Sequence, residues 1–141
     1  MKLLHQDASV EAREFLRVWV FGIWFLIFLF DPIADLPELP RFMFRPVGFI
    51  IRFWPASIQD WLISAPFLWG LKLLSLSALL GVLLRKYLKT SSVLACLLIT
   101  IHQSIVRSYG HINHAELGLI YTTYLLTLFY IADWMSKTNV K

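Results

Sequence analysis

Residues 65–84 read APFLWGLKLLSLSALLGVLL, and the next two are Arg85 and Lys86. One charge, Lys72, interrupts twenty residues. A stretch this long and apolar is a membrane-span candidate, because a helix rising ~1.5 Å per residue needs about 20 residues to cross the hydrocarbon. Pro66 suits the first turn, where a missing N–H costs nothing. Arg85, Lys86 and Lys89 suit both a helix C-terminus and a cytoplasmic face.

Composition extends this reading to the whole chain. Of 141 residues, 58% are hydrophobic and 16% charged, and mean hydropathy is +0.66. Soluble domains carry roughly 25% charged residues, so the excess apolar surface points to lipid. The length fits one domain, 1–141. The net charge of +4 is scattered and reads as loop charge, with no nucleic-acid partner expected. Cys96 is the single cysteine, which excludes an intrachain disulfide.

Three more spans follow from the pattern. Residues 15–30 are almost all Phe, Trp, Leu, Ile and Val, after a polar lead-in over 1–13 with Ser9 as N-cap. Arg17 is expected to snorkel, and Asp31-Pro32 ends the helix. Thr90-Ser91-Ser92 caps a span at 93–108, which Gly110 breaks. The last runs over 115–131. Sixteen residues give only ~24 Å, so helix ends extend into the interface or the bilayer is thin. Between the first two spans, residues 41–64 are too broken to cross and too greasy to float free. They form an interfacial segment, with Ser57 and Asp60 in a loose capping pattern. The aromatic runs 21–30 and 42–54 are read as lipid-facing. The expected fold is an all-α membrane bundle of about four spans plus the interfacial segment.

Topology follows from loop charge. With four spans, Lys2, Arg13, Arg17, Arg85, Lys86, Lys89, Lys137 and Lys141 share one side. Arg41, Arg45, Arg52 and Arg107 share the other. The imbalance puts both termini in the cytoplasm, and a bacterial inner membrane is the expected location. Lys72, His102, Gln103, Arg107, His111, Asn113, His114 and Glu116 then gather at the outer end. Intramembrane ionisable groups cost ~2.5–3.5 kcal/mol on insertion scales and face the bundle interior. Gln103 and Arg107, four apart, share a helix face, and Glu116 is expected to pair with Arg107 or Lys72.

Two functions fit this cluster. One is an outward pocket for a small amphiphile, quinone-like or lipid. There His114 and Asn113 are the candidate catalytic or polar-contact pair, and Arg107, His111, Glu116, His102 and Lys72 line the ligand. Histidine suits such a site because its pKa lies near neutrality. The other is a packing network in a non-catalytic membrane subunit or scaffold with a protein partner. His102, His111, His114 and Glu116 also allow a metal reading, and His102 with His114 a bis-His haem reading. Gly110 weighs against a continuous ligand helix. No cofactor is assigned. Ser104 and Ser108 read as helix back-bonding residues.

The string Arg107-Ser108-Tyr109-Gly110-His111-Ile112-Asn113-His114-Ala115-Glu116-Leu117, followed by an apolar helix and Asp133, resembles a motif of the HTTM family. That family includes the membrane domain of vitamin K-dependent gamma-glutamyl carboxylase. Leu39-Pro40-Arg41-Phe42-Met43-Phe44-Arg45-Pro46-Val47-Gly48 is similar to the segment after the first helix in bacterial members. The resemblance covers about 14–134. It implies that Asn113-His114 matches the last two residues of the carboxylases' Asn-Asn-His motif, in a lumen-facing active site. Ile112 replaces the first Asn, and no residue here matches the catalytic lysine of the family's later helices. The resemblance therefore implies a related membrane fold without carrying carboxylase activity over.

Overall fold

The structure is a computed structural model that describes residues 2–46, 52–110 and 115–138. It is all-α, with no strand among the described residues. Helix α1 spans Lys2–Phe30, α2 Ala56–Leu62, α3 Ala65–Leu83, α4 Leu88–Ser108 and α5 Ala115–Thr138. Two 3₁₀ turns, Ile33–Glu38 and Arg41–Met43, follow α1. Pro37 sits inside the first turn, and so proline-rich a stretch cannot hold a continuous α-helical ladder.

Three helices are long and apolar enough to cross a bilayer: Ala65–Leu83, Leu88–Ser108 and, within α5, Glu116–Ser136. The uncharged part of α1, residues 18–30, is shorter, because Arg13, Glu14 and Arg17 interrupt its first half. Large apolar side chains cover the outside, among them Trp19, Leu26, Leu73, Leu97, Leu125 and Leu128. Such a surface would be strongly unfavourable in water and suits acyl chains. The protein is an integral membrane helical bundle.

α3 is central and packs against both α1 and α4, while α5 lies against α4 and, less extensively, α1. The buried stripe of α1 is Arg17, Val20, Phe21, Trp24 and Phe28, spaced at three and four residues so that all share one face. Trp24 Nε1 donates to Thr123 Oγ1 of α5 at 2.9 Å inside the bundle. This corrects the lipid-facing reading of residues 21–30. Phe21, Trp24 and Phe28 are fully buried, and only part of the run, with Leu26, Leu29 and Phe30, faces outward.

Helix boundaries differ from expectation in four places. The lead-in joins α1, which passes through Ser9 as one continuous helix. α4 begins at Leu88, so Thr90, Ser91 and Ser92 lie inside it. The hydroxyls of Ser91 and Ser92 bond back to the carbonyls of Lys86 and Lys89 at 2.9 Å each. α5 continues past 131 to Thr138. At α2 the cap residue is Pro55, not Ser57, and the Pro55 carbonyl accepts from the N–H groups of Ile58 and Gln59.

The turn from α3 to α4 is tight and left-handed. Arg85 (φ 58) and Tyr87 (φ 51) both adopt positive φ. Lys86 N–H donates to the Gly81 carbonyl at 2.9 Å and Arg85 N–H to Val82 at 3.2 Å. That pair of bonds is the Schellman closure, with Arg where glycine is usual. The αL backbone costs a non-glycine residue roughly 1–2 kcal/mol. Here it aims Arg85 at Glu14, with which it forms an ion pair. Arg17 meets the same turn from α1. Its Nη1 donates to the carbonyls of Val82 at 2.6 Å and Leu83 at 2.8 Å, and its Nε to Glu14 Oε2 at 2.9 Å. Arg17 is 5% exposed. It does not snorkel; it caps the open carbonyls at the end of α3.

Candidate functional site

The polar residues expected to form one cluster are divided by α4 into two groups at the same end of the bundle. His102 and Gln103 are chain neighbours and therefore point about 100° apart around the helix. His102 turns toward α1 and α3. Gln103 turns toward α5.

The first group is Asp31, Lys72 and His102. His102 is fully buried, with its ring 4.2 Å from that of Phe28. Its Nε2 lies 3.1 Å from Asp31 Oδ2, close enough for an ion pair but misaligned for a hydrogen bond, and Nδ1 has no hydrogen-bond partner among the described residues. Lys72 Nζ donates to the Asp31 carbonyl at 2.8 Å and sits 5.8 Å from the centre of the Trp69 ring. The end of α1 thus meets one side chain from α3 and one from α4. Lys72 is one of the two partners expected for Glu116, with Arg107 the other. Its partner is instead the carbonyl of Asp31, and no ion pair joins Glu116 to Lys72 or Arg107 among the described residues.

The second group lines a cavity of about 900 Å³ between α4 and α5. α4 contributes Thr100, Gln103, Ser104, Arg107 and Ser108; α5 contributes Leu117, Ile120, Tyr121 and Tyr124. Phe42, Met43 and Arg45 form the rim with Tyr109 and Gly110. The rim is docked by a backbone bond from Arg45 N–H to the Ser108 carbonyl at 2.7 Å and by the Phe44 and Tyr109 rings, 5.3 Å apart. Burial pushes the Tyr109 phenol up, and nearby Arg41 only partly offsets this. Tyr109 is therefore a neutral O–H at physiological pH.

Polarity within the cavity is uneven. Ser104 and Ser108 bond back to Thr100 and Ser104 at 2.8 and 2.7 Å, the helix-internal role their sequence positions suggest. Thr100 and Tyr124 share a 2.8 Å bond across α4 and α5. Gln103 is 5% exposed, and its amide lies in the cavity wall. Arg107 Nε is buried without a hydrogen-bond partner among the described residues. Gln103 and Arg107 share the face that their four-residue spacing requires.

Of the expected site residues, Arg107 reaches the cavity. His102 and Lys72 do not line it and belong to the Asp31 group. Glu116 is in the first turn of α5, beside the lining residue Leu117. His111, Asn113 and His114 lie outside the described residues. Among the described residues, no three His, Cys, Asp or Glu side chains converge to hold a metal.

Asp31 escaped the sequence reading, which took it as a helix terminator. The available signal was an acidic residue at the end of an apolar run, level with Lys72 and His102. Met43, Tyr121 and Tyr124 carried no signal, because aromatic and apolar residues are common at every helix end here. No family model, curated protein or solved structure matches this chain.

Proposed function

We propose that this chain is an HTTM-like membrane protein with four spans, α1 supplying the first, and both termini on the cytoplasmic side of a bacterial inner membrane. The cavity between α4 and α5 is its functional site and binds a small amphiphile, quinone-like or lipid. The cavity itself carries this reading. About 900 Å³ lined by aromatic and aliphatic residues and by Gln103 and Arg107, whose buried Nε has no hydrogen-bond partner among the described residues, has the make-up of a ligand pocket. His114 and Asn113 are proposed as polar contacts for that ligand, as the resemblance of residues 107–117 implies. No reaction is assigned to them.

The test is native mass spectrometry of the gently solubilised chain, beside Ser104→Trp, which puts an indole ring into the cavity from the α4 wall. The wild type is expected to retain an amphiphile-sized mass and the variant to lose it. A ligand-free wild type, or equal retention by both, would remove the pocket reading. A second reading, a non-catalytic subunit or scaffold, is favoured by the Asp31, Lys72 and His102 group, which ties three helices together without reaching the cavity. On that reading the same spectrum shows a second protein chain.

A further inference from the structure

Several cations of the bundle have partners. Arg17 and Arg85 share Glu14. Arg41 is paired with Asp60. Lys72 is held by the Asp31 carbonyl. Two cations remain at the cavity, Arg45 and Arg107, and neither has an ion-pair partner among the described residues. Among the described residues that line it there is no Asp or Glu.

We propose that the cavity takes an acidic phospholipid, its phosphate facing Arg107 and Arg45 and an acyl chain running along Ile120 and Tyr124. This rests on the reading of the cavity as an amphiphile site and narrows it to one headgroup chemistry. A guanidinium with a buried, unpartnered Nε in a membrane protein is costly unless an anion meets it. A phosphate oxygen pair matches the guanidinium fork and forms the stronger, charge-assisted class of hydrogen bond. Basic pockets between membrane helices hold acidic headgroups on this principle. A neutral quinone ring would fill the apolar wall but leave both guanidiniums unmatched. The Gln103 amide, deeper on the Arg107 face, offers a donor and an acceptor to the glycerol esters. The lipid's remaining chain stays in the bilayer, so the cavity need not enclose the whole molecule.

The full chain would be reconstituted in nanodiscs holding equal amounts of dioleoyl-phosphatidylglycerol and dioleoyl-phosphatidylcholine, then released for native mass spectrometry. The expected result is retention of phosphatidylglycerol over phosphatidylcholine, with each guanidinium worth about fivefold. Arg107→Gln and Arg45→Gln each reduce that preference, whereas Lys86→Gln, at the other end of the bundle, leaves it intact. Arg45 is at the rim, so Arg45→Gln decides the matter if Arg107→Gln does not fold. Equal retention of both lipids, or a preference that survives both Arg substitutions, overturns the acidic-lipid assignment while the amphiphile reading stands. Displacement of phosphatidylglycerol by millimolar inorganic phosphate also overturns it, by showing an anion site with no use for the tail. Retention of no lipid or amphiphile at all fails the underlying reading instead.

Discussion

Arg17→Met tests whether the junction of α1 with the end of α3 holds the bundle together. The substitution keeps an unbranched side chain of similar reach and removes all the donors. Bonds to the Val82 and Leu83 carbonyls at 2.6 and 2.8 Å are lost, along with the bond to Glu14. Hydrogen bonds from charged donors contribute roughly 1.5–3 kcal/mol each. Val82 still accepts from Arg85 N–H at 3.2 Å, and Glu14 keeps Arg85, so part of the loss is recovered. The net cost is about 2–4 kcal/mol. For a chain of this size that corresponds to a fall in Tm on the order of 10 °C. Thermal unfolding in detergent, followed by tryptophan fluorescence, measures it directly. Arg17→Lys should recover part of the loss, since an ammonium can still donate to carbonyls, and the exposed Lys86→Met should be near neutral. A Tm for Arg17→Met within about 2 °C of wild type would refute the capping argument.

Two further outcomes follow from the same end of the bundle. Burial alone raises the Glu14 carboxyl, but hydrogen bonds and charge from Arg85 and Arg17 outweigh it and hold it below its ordinary 4.5. A carboxylate depressed in the folded state adds stability that is present in full above 4.5 and is lost as pH falls through the lowered value. Thermal scans from pH 7 downward should show this loss, and Glu14→Gln should flatten that part of the curve; an unchanged slope in the variant would sink the assignment. Gly81 and Gly70 give the second contrast. A Cβ at Gly81 would stand 2.7 Å from Ser91 Oγ, whereas one at Gly70 meets nothing within 4 Å. Gly81→Ala should destabilise by about 1–3 kcal/mol and Gly70→Ala should be neutral or stabilising, and equal thermal midpoints would contradict the close approach.

Much of the architecture was legible because lipid demands long, uninterrupted apolar helices. The span at 65–84 is read to within a residue of α3, and Pro66 and Glu116 fall in the first turns of α3 and α5 as expected. The i,i+4 relation of Gln103 and Arg107 also survives in three dimensions. What failed was direction around the helix axis. In a span that is apolar on every side, hydrophobicity does not distinguish a lipid face from a protein face. Phe21, Trp24 and Phe28 were therefore assigned outward. Likewise His102 and Gln103, adjacent in sequence, were placed in one cluster although a single residue step turns them toward different helices. Arg17 was misread for a related reason. Its partners are backbone carbonyls 65 and 66 residues away, and backbone atoms carry no sequence signature.

Those same separations set an order of events during synthesis. The first helix emerges with Arg17 holding only Glu14 of its partners, and Asp31 lacks the groups it meets in the folded bundle. The carbonyls for Arg17 exist only once α3 has been made and has closed its left-handed turn. The imidazole beside Asp31 arrives later still, with the second half of α4. Trp24 waits longest, for Thr123. The nascent first helix therefore leaves Arg17 and Asp31 short of their long-range partners until the hairpin of α3 and α4 is delivered beside it.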